Sequence, residues 1–183
     1  DSIIEHWARG ESMLFDPDLP EYQVDLTRMR AGGVTAIFSM VGGAYQYQCV
    51  ELWDGMHANV ETYPEHFTII NTAADIEACK AQGKIGLIGQ LESCTALGKS
   101  LRVLRVFHKL GVRVAGLTHG EADPDSLHGT RSPFDYCTQA DRDAARTAFT
   151  GLTDFGRLAI PEMNRLGIVV DLAHTQDASY FEA

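Results

Sequence analysis

Three side chains in this sequence have the types and positions needed to bind a metal ion together: Glu92, His119 and His174. Each follows, by one or two residues, a segment that is predicted to be a buried strand. Parallel strands of a β/α barrel all end on the face where barrel enzymes place their sites, so these three side chains should converge. A carboxylate oxygen and imidazole nitrogens are ligands of catalytic zinc sites, which keep one position open for water. The pattern therefore makes these three residues candidate ligands of a catalytic metal site.

Each of these residues also has an ordinary structural role open to it. Glu92 could cap the helix that follows it, because carboxylates are favoured near helix N-termini. A single histidine after a strand is more often a hydrogen-bonded loop or cap residue than a ligand. Cys94 lies two residues after Glu92, but no histidine neighbours it in sequence to support a thiolate nucleophile. The remaining histidines are expected on the solvated surface: His6, His57, His66, His108 and His128. Spacing alone leaves these alternatives open.

The elements that must position the three side chains alternate between helix and strand. Apolar segments predict strands at 34–40, 85–90, 112–117 and 168–172, the first of them buried on both faces. Apolar residues at helical spacing predict helices at 25–31, 53–63, 72–83, 97–111 and 153–166.

Several residues mark the ends and faces of these helices. Asp25 is predicted to cap the first helix, and Gly32 to end it in the left-handed conformation. Residues 72–75 resemble a capping box with Asp in place of the usual Glu. In the helix at 53–63, one apolar stripe is predicted to face the core: Trp53, Met56, Val60 and Tyr63.

Repeated strand and helix with continuously apolar strands predicts an α/β protein whose parallel sheet is covered on both faces. No dinucleotide or phosphate-loop signature supports an open sheet, which favours a (β/α)8 barrel. Such a barrel typically takes about 250 residues, whereas this chain has 183 residues and about five β/α units. We therefore expect one incomplete barrel domain spanning 1–183, with the missing part C-terminal and a long loop or insertion at 121–150.

Composition excludes several classes of protein. At 45% hydrophobic and 22% charged residues, the chain is typical of a globular domain with a real core. Its net charge is −10 and its cations are scattered, which argues against a nucleic-acid partner. No stretch approaches the roughly 20 apolar residues of a transmembrane segment. Four widely spaced cysteines indicate neither a zinc knuckle nor a disulfide scaffold, and so favour a reducing, cytoplasmic compartment.

Motifs along nearly the whole chain resemble the membrane (renal) dipeptidases, which are binuclear zinc peptidases with a (β/α)8 fold. The matching segments are VDLTRMRAGGV (24–34), GKI (83–85), LTH (117–119), GLTDFG (151–156), MNRLG (163–167) and VDLAH (170–174). The resemblance implies a zinc-dependent dipeptidase in which two Zn2+ ions share a hydroxide that attacks the peptide bond of a dipeptide.

The resemblance also implies roles for individual residues. Glu92 resembles the carboxylate that bridges the two metals, and His174 resembles a ligand of one of them. His119 resembles the substrate-binding histidine, which acts in catalysis with Glu92. Asp1 resembles the second ligand of the His-x-Asp motif that opens the family's first strand. Four further residues of the family site are expected outside this 183-residue chain. They are the histidine of that motif, a second metal-binding histidine, a substrate-binding arginine and a late aspartate.

One departure from the family pattern keeps two other functions open. Where the family usually has Glu-Gly-Gly, this chain has Glu92-Ser93-Cys94. A metal-dependent amidohydrolase acting on a non-peptide amide or lactone is one alternative, and a catalytically silent homologue serving as a binding module is the other. The 183 residues alone are expected to be inactive, because an unclosed barrel exposes strand edges and lacks ligands. The sequence leaves room for a homodimer.

Overall fold

Strand and helix alternate along the chain in this computed structural model, which describes residues 2–42, 45–119, 151–175 and 177–183. The chain divides into two compact units. Residues 1–41 and 47–90 form the first unit, and residues 42–46 and 91–183 form the second. The loop predicted at 121–150 lies outside the described residues, as do Asp1, His128 and Cys137.

The first unit contains three parallel strands. Its elements are, in chain order, α1 (Ser2–Arg9), α2 (Leu26–Ala31), β1 (Ala36–Met40), α3 (Gln46–Thr62), β2 (Phe67–Ile69), α4 (Ala73–Ala81) and β3 (Ile85–Leu91). Strand β3 pairs in parallel with both β1 and β2. As expected for a strand covered on both faces, β3 is almost continuously apolar, and Leu87 at its centre is fully buried.

Local hydrogen bonds fix the helix ends in this unit largely as predicted. The Asp25 carboxylate accepts a hydrogen bond from the Arg28 N–H at 2.7 Å, and this bond holds the pKa of Asp25 below its ordinary value. Thr72 and Asp75 form the predicted capping box at the start of α4. The prediction for Gly32 is wrong: its φ is −79°, and the left-handed conformation falls on Gly33 at φ +67°.

The burial of β1 and α3 corrects two predictions. Phe38 in β1 is 60% exposed, so the described structure does not bury this strand on both faces. The buried face of α3 is rotated from the predicted one and consists of Cys49, Leu52, Gly55, Met56 and Asn59. Asn59 replaces an apolar residue in this stripe because its side chain bonds the backbone at Phe15, Met13 and Gly55.

The histidines predicted on the surface are more buried than expected. His6 is buried, its ring stacks on Tyr22 with centroids 3.8 Å apart, and its Nδ1 contacts the Ser12 carbonyl. An aromatic neighbour and a backbone acceptor make this position tolerable for a polar ring, and they explain why the prediction fails at His6. The other described histidines of this group are half-buried: His57, His66 and His108.

In its described residues, the second unit repeats the alternation around two parallel strands. It contains a 3-10 helix (Cys94–Leu97), α5 (Leu101–Leu110), β4 (Val112–Gly116), α6 (Asp154–Leu166), β5 (Val169–Asp171) and α7 (Asp177–Glu182). Strands β4 and β5 pair with Gly116 opposite Asp171. The helix predicted at 97–111 begins only at Leu101, because Gly98 and Lys99 adopt left-handed backbone conformations and separate it from the 3-10 helix.

An ion-pair cluster joins α5 to α6. The Glu162 carboxylate, whose side chain is 10% exposed, lies 2.6 Å from Arg105 Nε and 2.7 Å from Arg165 Nη2. Hydrogen bonds from Arg165 and Arg105 lower the pKa of Glu162 to about 2. Together with the parallel strands, these packed helices confirm the predicted α/β class.

Candidate metal centre

Glu92 follows the last residue of β3, where the chain turns into the 3-10 helix. Ser93 is the N-cap of that helix, and its hydroxyl accepts a hydrogen bond from the Thr95 N–H. The alternative that Glu92 is the capping residue is therefore wrong. Its side chain is 29% exposed, so the carboxylate is partly buried but still reachable by a small ligand.

His119 follows β4 after the buried residues Leu117 and Thr118. Strand β4 ends at Gly116, so His119 lies three residues beyond the strand instead of the one or two that were predicted. Its side chain is 60% exposed, the largest exposure among the three candidate residues.

His174 lies three residues beyond the end of β5, in a turn with an uncommon backbone conformation. Its φ is +63°, in the left-handed region that few residues other than glycine adopt. The Asp171 carboxylate accepts a hydrogen bond from the Ala173 N–H at 2.9 Å, and the Thr175 N–H donates to the Leu172 carbonyl at 3.2 Å. These two bonds shape the turn that carries the His174 ring.

The three side chains converge, as predicted from the strand ends. Glu92 Oε1 lies 3.3 Å from His119 Nε2 and 3.8 Å from His174 Nε2. The two imidazole rings meet nearly edge to face, with centroids 4.8 Å apart and an interplanar angle of 62°. One ligand atom from each of the three residues lies within 4.8 Å of the others.

The donor set and its spacing fit a zinc ion. Zinc binds imidazole nitrogen and carboxylate oxygen at about 2.0–2.2 Å with tetrahedral geometry, which places two ligand atoms of one ion roughly 3.3 Å apart. The distance from Glu92 Oε1 to His174 Nε2 exceeds this value by about 0.5 Å, and His119 Nε2 lies 3.3 Å from the same carboxylate oxygen. Small side-chain adjustments would suffice to bind an ion.

The other chemistry-bearing residues named from the sequence do not join this cluster within the described structure. Cys94 is fully buried, which leaves its thiol no access to a substrate and argues against the nucleophile alternative. The Ser93 hydroxyl is engaged with the Thr95 N–H and hydroxyl. Asp1 lies outside the described residues.

A family comparison agrees with this geometry. The model of the membrane dipeptidase family, peptidase family M19, matches residues 12–182. The chain belongs to the membrane dipeptidase family. Family membership agrees with a cluster of one carboxylate and two imidazoles at the strand ends.

Individual proteins that resemble this chain in sequence or in fold are distant from it. Dipeptidase aclJ of Aspergillus oryzae is 29% identical over 180 residues, covering 86% of this chain and 38% of that protein. A metallopeptidase of Rhodobacter sphaeroides was solved with a phosphinate mimic of the dipeptide L-Ala-D-Ala. Its structure matches this one with a TM-score of 0.75 at 21% identity, and the match covers 100% of this chain and 59% of the metallopeptidase chain. An amidohydrolase of Pseudomonas aeruginosa matches with a TM-score of 0.71 at 24% identity, and the match covers 86% of this chain and 44% of the amidohydrolase chain.

These coverages bear on the predicted fold. The chain spans 38% of the length of dipeptidase aclJ and 44% and 59% of the lengths of the two solved structures. The structural matches confirm a fold shared with the dipeptidases, which agrees with the predicted partial (β/α)8 barrel. No helix within the described ranges is both long and apolar enough to cross a membrane.

Asp171 has a role beside this cluster that was not predicted from the sequence. Its carboxylate makes an Asx-type turn with the backbone two residues later, directly before His174. The sequence does contain a signal for this turn, because an aspartate at a strand end commonly forms a turn with the backbone two residues later.

Proposed function

We propose that the protein containing these residues is a zinc-dependent dipeptidase with two zinc ions in its complete site. One observation carries the proposal: Glu92, His119 and His174 come from three separate strand ends and meet within 4.8 Å in a member of the dipeptidase family. A structural role for each residue separately would not require this convergence.

The exposure of the three side chains supports a division of roles. Glu92, with two carboxylate oxygens, would bridge the two metal ions, and His174 would bind one of them. Asp1 would supply a further ligand. Glu92 and His174 are 29% and 32% exposed, as suits residues that face an ion, whereas the more exposed His119 is free to reach a substrate.

The reaction is hydrolysis of one peptide bond. The zinc ions, when bound, act as Lewis acids and lower the pKa of a water molecule towards about 7. The water oxygen bonds to the carbonyl carbon, the C–N bond breaks, and a proton passes to the leaving amine. His119 would donate a hydrogen bond to the carbonyl oxygen, where negative charge develops in the transition state.

A dipeptide is the substrate class that the comparisons favour. The Rhodobacter sphaeroides relative was solved with a mimic of L-Ala-D-Ala, a dipeptide of mixed chirality. We propose that this protein acts on dipeptides of the same kind, so L,L and L,D dipeptides form the first substrate panel.

Replacement of Glu92 by glutamine tests the proposal. Glu92→Gln keeps the shape of the side chain and removes its charge, so the full protein should lose bound zinc and dipeptide turnover together. Removing a residue that hydrogen-bonds a metal ligand lowers metal affinity roughly 10–100-fold. Removing the charge of the ligand itself should lower it more. The control is Glu65→Gln, an exposed carboxylate beside His66, which should change neither zinc content nor turnover.

Two results would contradict the proposal. The first is a full protein that holds no zinc after dialysis. The second is a Glu92→Gln variant with unchanged zinc content and activity. Either would favour the alternative of a silent binding module.

A second candidate function rests on the residues after Glu92. Ser93 and Cys94 stand where the resemblance to the family implies two glycines, so this chain has two side chains there that the family pattern lacks. An amidohydrolase acting on a non-peptide amide or lactone would fit this change. Turnover of lactams or lactones by the zinc-loaded protein, with no turnover of any dipeptide, would establish this second function.

The cytoplasmic location and the homodimer stay predictions from the sequence.

A further inference from the structure

Gly116, the last residue of β4, lies against the backbone of Glu92. A methyl group built on Gly116 would lie 2.3 Å from the Glu92 carbonyl oxygen and 3.1 Å from its carbonyl carbon. Folded proteins essentially never contain a Cβ contact below 3.0 Å. The close approach therefore requires glycine at this position, whatever the backbone conformation.

Gly42 approaches the same residue at its amide. A methyl group on Gly42 would lie 2.9 Å from the Glu92 nitrogen and 3.0 Å from the Leu91 Cα. Here too the neighbouring atoms belong to the backbone, which cannot rotate out of the way as a side chain can. The amide and the carbonyl of Glu92 are thus each in contact with a glycine.

The pairing of Gly116 limits how such a clash could relax. Gly116 lies opposite Asp171 in the β4–β5 pair, and the next residue, Leu117, donates its N–H to the Asp171 carbonyl at 3.3 Å. Asp171 in turn shapes the turn that carries His174. If Gly116 moved away from Glu92, it would disturb the strand pair next to a second candidate ligand.

We propose that Gly42 and Gly116 are positioning residues that set the place of the Glu92 carboxylate among the metal ligands. This inference rests on the proposed zinc-dependent function. Metal–ligand distances in bound sites fall within about 0.2 Å of their ordinary values. Restoring an ordinary contact of 3.4 Å to a methyl group on Gly116 would require a backbone shift of about 1 Å, several times that spread.

The two positions should differ in severity, because the overlap is larger at Gly116. Gly116→Ala should weaken zinc binding by roughly 10–100-fold, the range found when the support of a metal ligand is lost. Gly42→Ala should weaken it less. In both variants Glu92 keeps its charge and its side chain, so a change in zinc affinity reports on position.

Gly86 provides the matched control. It is a glycine in β3, and a methyl group there would lie 2.5 Å from Ile70 Cγ1, which is a side-chain atom. Gly86→Ala therefore introduces a comparable overlap in a buried strand without contact to the Glu92 backbone. It should lower the thermal midpoint of the metal-free protein and leave zinc affinity within about twofold of the wild type.

The test is competition for zinc against a chromogenic chelator, carried out on the full protein and its variants, with thermal midpoints measured in the metal-free state. The proposal is supported if Gly116→Ala and Gly42→Ala lower zinc affinity, in that order of severity, and Gly86→Ala does not. Should Gly116→Ala fail to fold, Gly42→Ala decides alone. The proposal is overturned if a folded Gly42→Ala or Gly116→Ala variant binds zinc like the wild type.

This experiment also separates the inference from the proposed function. A wild-type protein that binds zinc but cleaves no dipeptide would refute the dipeptidase and leave the role of the glycines intact. An active wild-type protein whose glycine variants keep full zinc affinity would refute only the role of the glycines.

Discussion

The left-handed backbone of His174 predicts that glycine stabilises this position more than alanine does. A residue with a Cβ in this conformation costs roughly 1–2 kcal/mol relative to the right-handed region. Glycine avoids that cost but loses more backbone entropy on folding, by roughly 0.5–1 kcal/mol. The difference leaves His174→Gly more stable than His174→Ala by about 0.5–1 kcal/mol, which corresponds to about 1–4 °C in thermal midpoint for a domain of this size. Both variants should lose zinc affinity equally, because both lack the imidazole.

Urea unfolding of the metal-free variants, followed by circular dichroism, measures this difference. Lys99 provides the control, because it has a similar backbone conformation at φ +56° and lies outside the candidate metal cluster. Lys99→Gly should be more stable than Lys99→Ala by a similar amount, with zinc affinity unchanged. The reasoning is refuted if His174→Ala is as stable as His174→Gly while the Lys99 pair differs as expected.

Three further predictions concern the fold. Glu162 has a pKa of about 2 in the folded protein, below its ordinary value of 4.5, so its contribution to stability is complete above pH 4.5 and is lost as the pH falls towards 2. Glu162→Gln should flatten the acid limb of a stability–pH curve, and an unchanged limb would contradict the pairing with Arg105. Leu104→Ala should cost about 2–5 kcal/mol in urea unfolding, because Leu104 is fully buried, whereas Leu110→Ala on the exposed side should cost under about 0.5 kcal/mol. Burial raises the pKa of the Cys79 thiol, so an alkylating reagent should modify Cys79 only after unfolding. Mass spectrometry detects the modification, and rapid modification of the native protein would refute this prediction.

Much of the fold follows from local sequence patterns, and the exceptions have identifiable causes. The long apolar run of β3 and the capping box of α4 need no tertiary information, and both were predicted. Strand β2 was missed because its three residues, Phe67–Ile69, are too few to show an alternation, and only pairing with β3 defines them. The burial of His6 depends on Tyr22 and Ser12, which a one-dimensional pattern does not bring to it.

The candidate site was predictable to a different degree. Its three side chains could be named because each has a distinctive chemistry and follows a strand. Gly42 and Gly116 have no side-chain chemistry, and their closeness to Glu92 appears only when the strands are placed in space. The sequence marks a possible turn at Asp171, but that this turn carries a candidate ligand appears only when the strand ends are placed in space.

The spacing of the candidate ligands along the chain sets the order in which the site can form during synthesis. Glu92 leaves the ribosome first and His174 last, and the roughly 80 residues between them take about 4–16 s to synthesise at ordinary rates. The turn that carries His174 needs Asp171 at the end of β5, which pairs with β4. All three side chains are therefore present together only after synthesis has passed β5, so a metal ion can bind among them only late in the synthesis of the chain.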